Sequence, residues 1–246
     1  MRGLGRYYEL DVECCGQPDP RTGYLVNIKR IDEAARATVV RGIARACADR
    51  PGSEPGPVLA GLIGGLDGEL GGIVERAVWK LTPTYSVEVG MTGTRADRRA
   101  GERVVIRQRF DFAAAHRLHS DALSENENRS VFGRCNNPNG HGHNYQVDVA
   151  VSAAVGACAG ARPGVTLDAI ERVVDRVIID PFDHTHLNLD RAEFDTRRGG
   201  VNPSVEEIAR VFFGVLSPEI ERLGEGAALT SVTVWETERT CATYPG

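Results

Sequence analysis

The chain has 246 residues, is 41% hydrophobic and 26% charged, and carries a formal charge of −5 at pH 7. That length serves one large domain or two of about 120 residues. The negative balance and the lack of a basic stripe argue against nucleic acid as a partner, and no run approaches the roughly 20 apolar residues of a membrane helix, so no membrane partner is expected either.

In chain order, the opening MRGLGRYYELDVECC alternates like a strand and lacks the apolar core of a secretory signal, which gives a cytoplasmic address as the expectation. Ile28, Ile31, Ala35 and Val39 keep helical spacing. A second helix is expected over about 58–81, weakened by up to ~1 kcal/mol for each interior glycine. Ser-Val-Glu-Val at 86–89 reads as a strand, and GTRADRRAGE at 93–102 as a linker or a frayed strand. Residues 104–112 are strand-like and lead to His116, and 141–149 alternate again. Leu167, Ile170, Val174 and Val177 return to helical spacing. A further helix is expected over 204–223, with Ser204 as N-cap and Glu207 completing a capping box after Pro203. Ser-Val-Thr-Val at 231–234 is a strand that runs into Glu236. The six cysteines (14, 15, 47, 135, 158 and 241) show no framework spacing and read as reduced thiols.

All six histidines fall between positions 116 and 186. His141 and His143, two apart in an alternating run, project from one face of a strand. Pairing that strand with 104–112 would bring His116 opposite them. A lone histidine of this kind is usually a satisfied polar residue; three with this spacing suggest a metal site. Three imidazoles with an open fourth position suit a catalytic zinc better than a structural one.

The chain also echoes itself. Tyr-Glu-Leu-Asp-Val at 8–12 matches Tyr-Gln-Val-Asp-Val at 145–149, and 86–89 matches 231–234. This alignment sets Leu4 opposite His141, Arg6 opposite His143 and Met91 opposite Glu236, and gives the first half no counterpart to His116 or Cys135. An upstream start would leave Leu4 and Arg6 where they are. The expected organisation is a degenerate domain without metal ligands over 1–92, a linker over 93–102 and a catalytic domain over 103–246.

Five strings in order, FAAAHRLH (112–119), VFGRCNNPNGHGHNYQVDV (131–149), FDHTHLNLD (182–190), NPSVEEIA (202–209) and VWETE (234–238), resemble the 6-pyruvoyl-tetrahydropterin synthase family, within the wider group that includes 6-carboxytetrahydropterin synthase. The resemblance implies an α+β T-fold, an antiparallel β-β-α-α-β-β unit that assembles into an oligomeric barrel. With the internal echo it implies a tandem T-fold and a homotrimer, a pseudo-hexamer of units. It implies Zn2+ on His116, His141 and His143, catalytic roles for Cys135, Asp183 and His184, and a pterin anchored by Glu236, with Glu206 and Ser204 in the same pocket. Cys135 could instead close the metal site as a fourth ligand. The family often has Thr at the position of Ser204 and Asn at that of Glu207, departures that bear on pocket affinity before reaction. The implied reaction converts 7,8-dihydroneopterin triphosphate to 6-pyruvoyl-tetrahydropterin with loss of triphosphate, a zinc lyase. Arg117 and Arg134 flank the motifs and are candidates to meet the triphosphate. The alternatives are the 6-carboxytetrahydropterin reaction and a non-catalytic pterin- or purine-binding module.

Overall fold

A computed structural model describes residues 9–94, 97–159, 164–224 and 226–245. The protein is α+β and divides into two compact units. One comprises the residues up to 107 with 152–166 and 224–227; the other comprises 108–151, 167–223 and those from 228 onward.

In the first unit, β1 (Glu9–Cys14) pairs antiparallel with β2 (Val74–Lys80), and β2 with β3 (Tyr85–Thr92). Exposed cross-strand charges mark the register, with Glu9 opposite Lys80 at 3.3 Å and Glu13 opposite Arg76 at 2.5 Å. Such pairs contribute only about 0–1 kcal/mol each. The larger contribution comes from the apolar layer, in which Val74, Ala77, Val87 and Val89 are buried. α3 (Pro55–Glu69) packs on these strands, burying Leu59, Ile63 and Leu66 at helical spacing. Ahead of it, α1 (Ile28–Ala35) is capped by the Asn27 side chain, which accepts from the Lys29 N–H at 2.9 Å. It continues through a π turn (Arg36–Val40) into α2 (Arg41–Asp49).

The helix expected over 58–81 ends much earlier, at Glu69. Gly71 and Gly72 both take positive φ, 76° and 80°, and reverse the chain. The buried Asp67 carboxylate then accepts the Val74 N–H at 2.9 Å and starts β2. The strand that follows the second long helix is therefore β2 and not 86–89. That strand ends in Trp79–Lys80, ahead of Met91, and the alignment that sets Met91 opposite Glu236 passes over it. Leu4 and Arg6 lie outside the described residues, as do 95 and 96 of the expected linker. Within the remainder of that linker, β4 (Arg99–Ala100) pairs with β3, the frayed strand of the two expectations.

The second unit takes most of β5 (Arg103–His116) and β6 (His141–Ala154), and its strands neighbour in the order β5, β6, β8 (Ala228–Thr237), β9 (Thr240–Pro245). β7 (Thr185–His186) adds in parallel to β5, with Ala115 opposite His186, and leads into the short α7 (Leu187–Asp190). α5 (Leu167–Val174) runs through a π turn (Asp175–Ile179) into the short α6 (Asp180–Phe182). α8 (Val205–Glu221) packs on β8 and β9. Between sheet and helices lies an aromatic core: Phe112 stacks on Tyr145 with centroids 5.0 Å apart, and Phe212 lies 4.9 Å from Phe182. Ser204 caps α8 as expected, accepting from the Glu207 N–H at 3.4 Å. The Glu207 carboxylate, however, goes to Arg210 at 2.7 Å, so the expected capping box is only half formed.

A complete capping box occurs instead at Ser124 and Glu127, opening α4 (Glu125–Phe132), a helix that the apolar pattern does not announce. Among the described residues no helix is long and apolar enough to cross a membrane.

Candidate metal and substrate site

β5 ends at His116 and β6 begins at His141, and because the two strands are neighbours their histidines meet. His116 Nε2 and His141 Nε2 stand 3.2 Å apart. His143, on the same face of β6, has its Nε2 3.4 Å from Glu236 Oε1, which also lies 3.4 Å from His116 Nε2. Cys135, in the 3-10 turn Gly133–Asn136, offers its Sγ within 4.8 Å of nitrogens of His116 and His141. Glu236 enters from the C-terminal part of β8.

His116 is fully buried, and its Nδ1 lies 2.8 Å from the Pro203 carbonyl. That oxygen only accepts, so Nδ1 carries the proton and the Nε2 lone pair is left facing the other imidazoles, the outer hydrogen bond that fixes a metal-binding tautomer. Two ligands at about 2.0–2.1 Å from a tetrahedral zinc stand roughly 3.3–3.4 Å apart, close to the observed His116–His141 separation. Among the described residues His141 Nδ1 and His143 Nε2 are buried without a hydrogen-bond partner. Buried imidazole nitrogens gathered in this way suit a divalent cation.

Burial favours the uncharged form of His116 and of His143. Burial, ahead of repulsion from neighbouring histidines, lowers the His116 pKa to about 4 against an opposing hydrogen bond to Pro203, and burial also lowers that of His143. A folded-state pKa below the unfolded one favours folding at neutral pH, and the benefit is lost as pH falls from about 6.5 toward 4. In the metal-stripped protein His116 alone should cost about 2 kcal/mol of stability between pH 7 and pH 5. Denaturant titrations at the two pH values check this, and an unchanged midpoint would mean that His116 titrates normally. Cys135 is displaced the other way from a reactive thiol: burial first, then the Glu236 carboxylate, pushes its pKa up. An acidified Cys135 therefore depends on a cation at the imidazoles.

Asp183 and His184 precede β7, beside β5. The Asp183 carboxylate accepts the Ala113 N–H at 2.7 Å and lies 2.7 Å from His184 Nδ1. The backbone bond from Ala113 is the main cause of the lowered Asp183 pKa. His184 holds φ at 56°, alone among the described non-glycine residues in the left-handed region, and its side chain is 83% exposed. Strain kept at an exposed, carboxylate-paired histidine points to a functional constraint. A cleft of about 520 Å³ connects His184 with His143 and with residues 113–115 of β5. Among the described contacts neither Asp183 nor His184 reaches Cys135. Ser204 is engaged in its cap and Glu206 is exposed on the first turn of α8; neighbouring Pro203 is what this segment contributes directly, through His116.

A family model described as 6-pyruvoyl tetrahydropterin synthase matches residues 105–246. The chain belongs to that family. The 6-pyruvoyl tetrahydrobiopterin synthase of Homo sapiens is 33% identical over 141 residues, 57% of this chain and 90% of the relative. A putative 6-pyruvoyl tetrahydrobiopterin synthase of Caenorhabditis elegans is 36% identical over 144 residues, 58% of this chain and 96% of the relative. The solved structure of Caenorhabditis elegans 6-pyruvoyl tetrahydropterin synthase superposes with a TM-score of 0.51 at 33% identity, covering 58% of this chain and 96% of that one. All five motifs lie inside the matched residues of the family.

One residue escaped the sequence reading. His186, to which the motifs assign no role, packs against Gly140, the residue before His141. A Cβ on Gly140 would lie 2.6 Å from His186 Nε2 and 2.9 Å from the His116 carbonyl oxygen, and φ there is 70°. The signal was the Gly-His-Gly-His string itself, since a glycine ahead of a ligand strand allows close approach. Gly140→Ala should destabilise the protein by about 2 kcal/mol, lowering the melting temperature by roughly 5 °C. A thermal melt checks this, and an unshifted one would mean that the turn relaxes freely.

Proposed function

We propose that the protein converts 7,8-dihydroneopterin triphosphate to 6-pyruvoyl-tetrahydropterin with elimination of triphosphate, using Zn2+ held by His116, His141 and His143. The observation that carries this reading is the convergence of three imidazoles, the Cys135 thiol and the Glu236 carboxylate at the adjoining ends of β5, β6 and β8, within the residues the family model matches. Zinc bound there would supply a Lewis acid to the hydroxyl oxygens of the substrate side chain.

The rest falls to the chain's own groups. The reaction is an internal redox tautomerisation, so protons leave one side-chain carbon and return at another while triphosphate departs with its bonding electrons. Cys135 is placed to take and return a proton as a thiolate. Asp183 holds the His184 ring by Nδ1, leaving Nε2 to carry a proton from the exposed side. Glu236 can accept two parallel N–H bonds from the guanidine-like edge of a pterin. Glu206 and Ser204 belong to the same proposal as neighbours of that pocket.

The first unit enters this reading as a degenerate copy, with 1–92 as scaffold, 93–102 as linker and 103–246 as the catalytic domain. Its support is a shared irregularity. In each unit a helix runs for eight residues, α1 and α5, and then opens into a π turn of five. Strand β1 lies at an edge of the first unit's strands and β9 at an edge of the second's, and such edges would be closed by association, which favours a homotrimer whose tandem units form a pseudo-hexameric barrel. A cytoplasmic setting completes the proposal, supported by six unpaired cysteines.

The test is anaerobic incubation of zinc-loaded protein with 7,8-dihydroneopterin triphosphate, with products resolved by mass spectrometry. The 6-pyruvoyl product is expected. A 6-carboxy product would move the chain to the sister reaction, and no turnover with zinc bound would favour a pterin-binding module.

A further inference from the structure

His119 takes no part in the chemistry proposed above, yet it stands where two elements of the site meet. His116 ends β5, and residues 117–120 leave the sheet without entering a helix. Their backbone groups have no ladder to pair with, and asparagine side chains take its place. Asn188 accepts the Arg117 N–H at 2.8 Å and donates to the Arg117 carbonyl at 3.0 Å. Asn202 accepts the His119 N–H at 3.2 Å, and Asn128 serves both backbone groups of Ser120. Leu118 is held differently, by the turn that carries Cys135. Its N–H goes to the Cys135 carbonyl at 2.8 Å, and its carbonyl accepts from Asn136 Nδ2 at 2.7 Å. The thiol-bearing turn is thus tied, at two consecutive residues, to a point two residues past a candidate metal ligand.

His119 closes the tie. Asn136 is 5% exposed, and its Nδ2 has a second acceptor in His119 Nδ1 at 3.0 Å. Arg117 Nη2 reaches the same ring nitrogen at 3.1 Å, and Arg117 Nε donates to the Asn136 carbonyl at 3.3 Å. An amide nitrogen and a guanidinium only donate, so Nδ1 accepts from both and the ring proton sits on Nε2, 3.4 Å from Asp121 Oδ1. Both hydrogens of the buried amide are then used, and its plane is fixed. The turn itself is short, Gly133–Asn136, and starts from a glycine at a φ of 53°, so its own backbone offers little resistance to a shift.

We propose that Asn136 and His119 are positioning residues for Cys135: together they lock the thiol-bearing turn onto the segment after His116 and so set where Sγ stands against the imidazoles. That the lock serves proton transfer rests on the synthase reading above; the lock itself does not. Misplacing a reacting group by about 1 Å costs on the order of a hundredfold in rate, so partial loss of the lock falls on kcat and not on KM.

Two measurements on His119→Ala, His119→Asn and Asn136→Ala test this. In the first, metal-free protein is treated with iodoacetamide and labelling of Cys135 is followed by peptide mass spectrometry, with exposed Cys241 as the internal standard. Both alanine variants should label Cys135 at least about threefold faster than the unsubstituted protein, because a loosened turn uncovers a half-buried thiol. His119→Asn offers a side-chain oxygen in place of Nδ1 and should keep the original rate. In the second, turnover of 7,8-dihydroneopterin triphosphate by the metal-loaded variants is measured alone and in combination with Cys135→Ala. Each alanine substitution should lower kcat by about tenfold with KM within about threefold, and by less than about twofold once the thiol is already gone. His119 is partly exposed, so His119→Ala should fold and carry the test if Asn136→Ala does not.

Cys135 labelling that His119→Ala leaves unchanged would overturn the proposal, as would a loss of kcat equally large with and without the thiol. If His119→Asn behaves like His119→Ala, the acceptor role of the ring is refuted. Labelling that follows the expected order in a protein that turns nothing over would keep the lock and remove the synthase reading instead.

Discussion

Cys135→Ala is expected to slow formation of the 6-pyruvoyl product by at least about a hundredfold, the usual cost of removing a general acid or base. Substrate KM should stay within about threefold. The backbone around Cys135 does not depend on its sulfur: its carbonyl accepts the Leu118 N–H at 2.8 Å, and the Asn136 amide donates to the Leu118 carbonyl at 2.7 Å. The alanine variant should therefore fold and keep its metal. Metal content measured beside the rate separates two roles for the thiol. Loss of rate with full metal marks a proton carrier; loss of both marks a fourth ligand that closes the site. Unchanged turnover would remove Cys135 from the chemistry.

His116→Ala should have the larger effect. Both nitrogens of this fully buried ring are committed, Nδ1 to Pro203 and Nε2 toward His141 and Glu236, so no rotation of a neighbour replaces it. The variant is expected to purify with little metal. A Lewis acid worth several kcal/mol corresponds to a loss of roughly a thousandfold or more in rate. Elemental analysis and product formation check the two halves of the claim, and a variant that keeps both would take His116 out of the ligand set.

The ligand cluster was legible because a strand has a strict period of two. His141 and His143 had to share a face, and any pairing of their strand with the one ending at His116 brought the third ring near. The end of α3 was not legible, for an equally physical reason. Val74, Ala77, Val78 and Leu81 happen to keep the i, i+3, i+4, i+7 spacing of a helix, although the chain is a strand up to Lys80. What decides is the glycine pair at 71 and 72 together with the buried Asp67 carboxylate, a tertiary contact that periodicity does not encode. α4 failed for the opposite reason. Its residues are mostly polar, and it is organised around Asn128, a buried amide that accepts from the Ser120 N–H and donates to the carbonyls of Ser120, Leu123 and Ser124. Its sequence signal was the Ser124–Glu127 cap rather than any apolar stripe. The pairing of Asp183 with the strained His184 was visible only as a loop dipeptide.

The two π turns have a consequence for the history of the chain. A π turn is the trace of one residue inserted into a helix, an uncommon event that is costly unless packing accommodates it. On the duplication proposed above, finding it eight residues into α1 and again eight residues into α5 makes it a single insertion inherited twice. The insertion is then older than the copying, and the ancestor was already a one-unit protein with a bulged helix. On the same proposal, Trp79–Lys80 and Trp235–Glu236 stand in the strand that follows the second long helix of each half, and the difference between Lys80 and Glu236 arose after the halves parted.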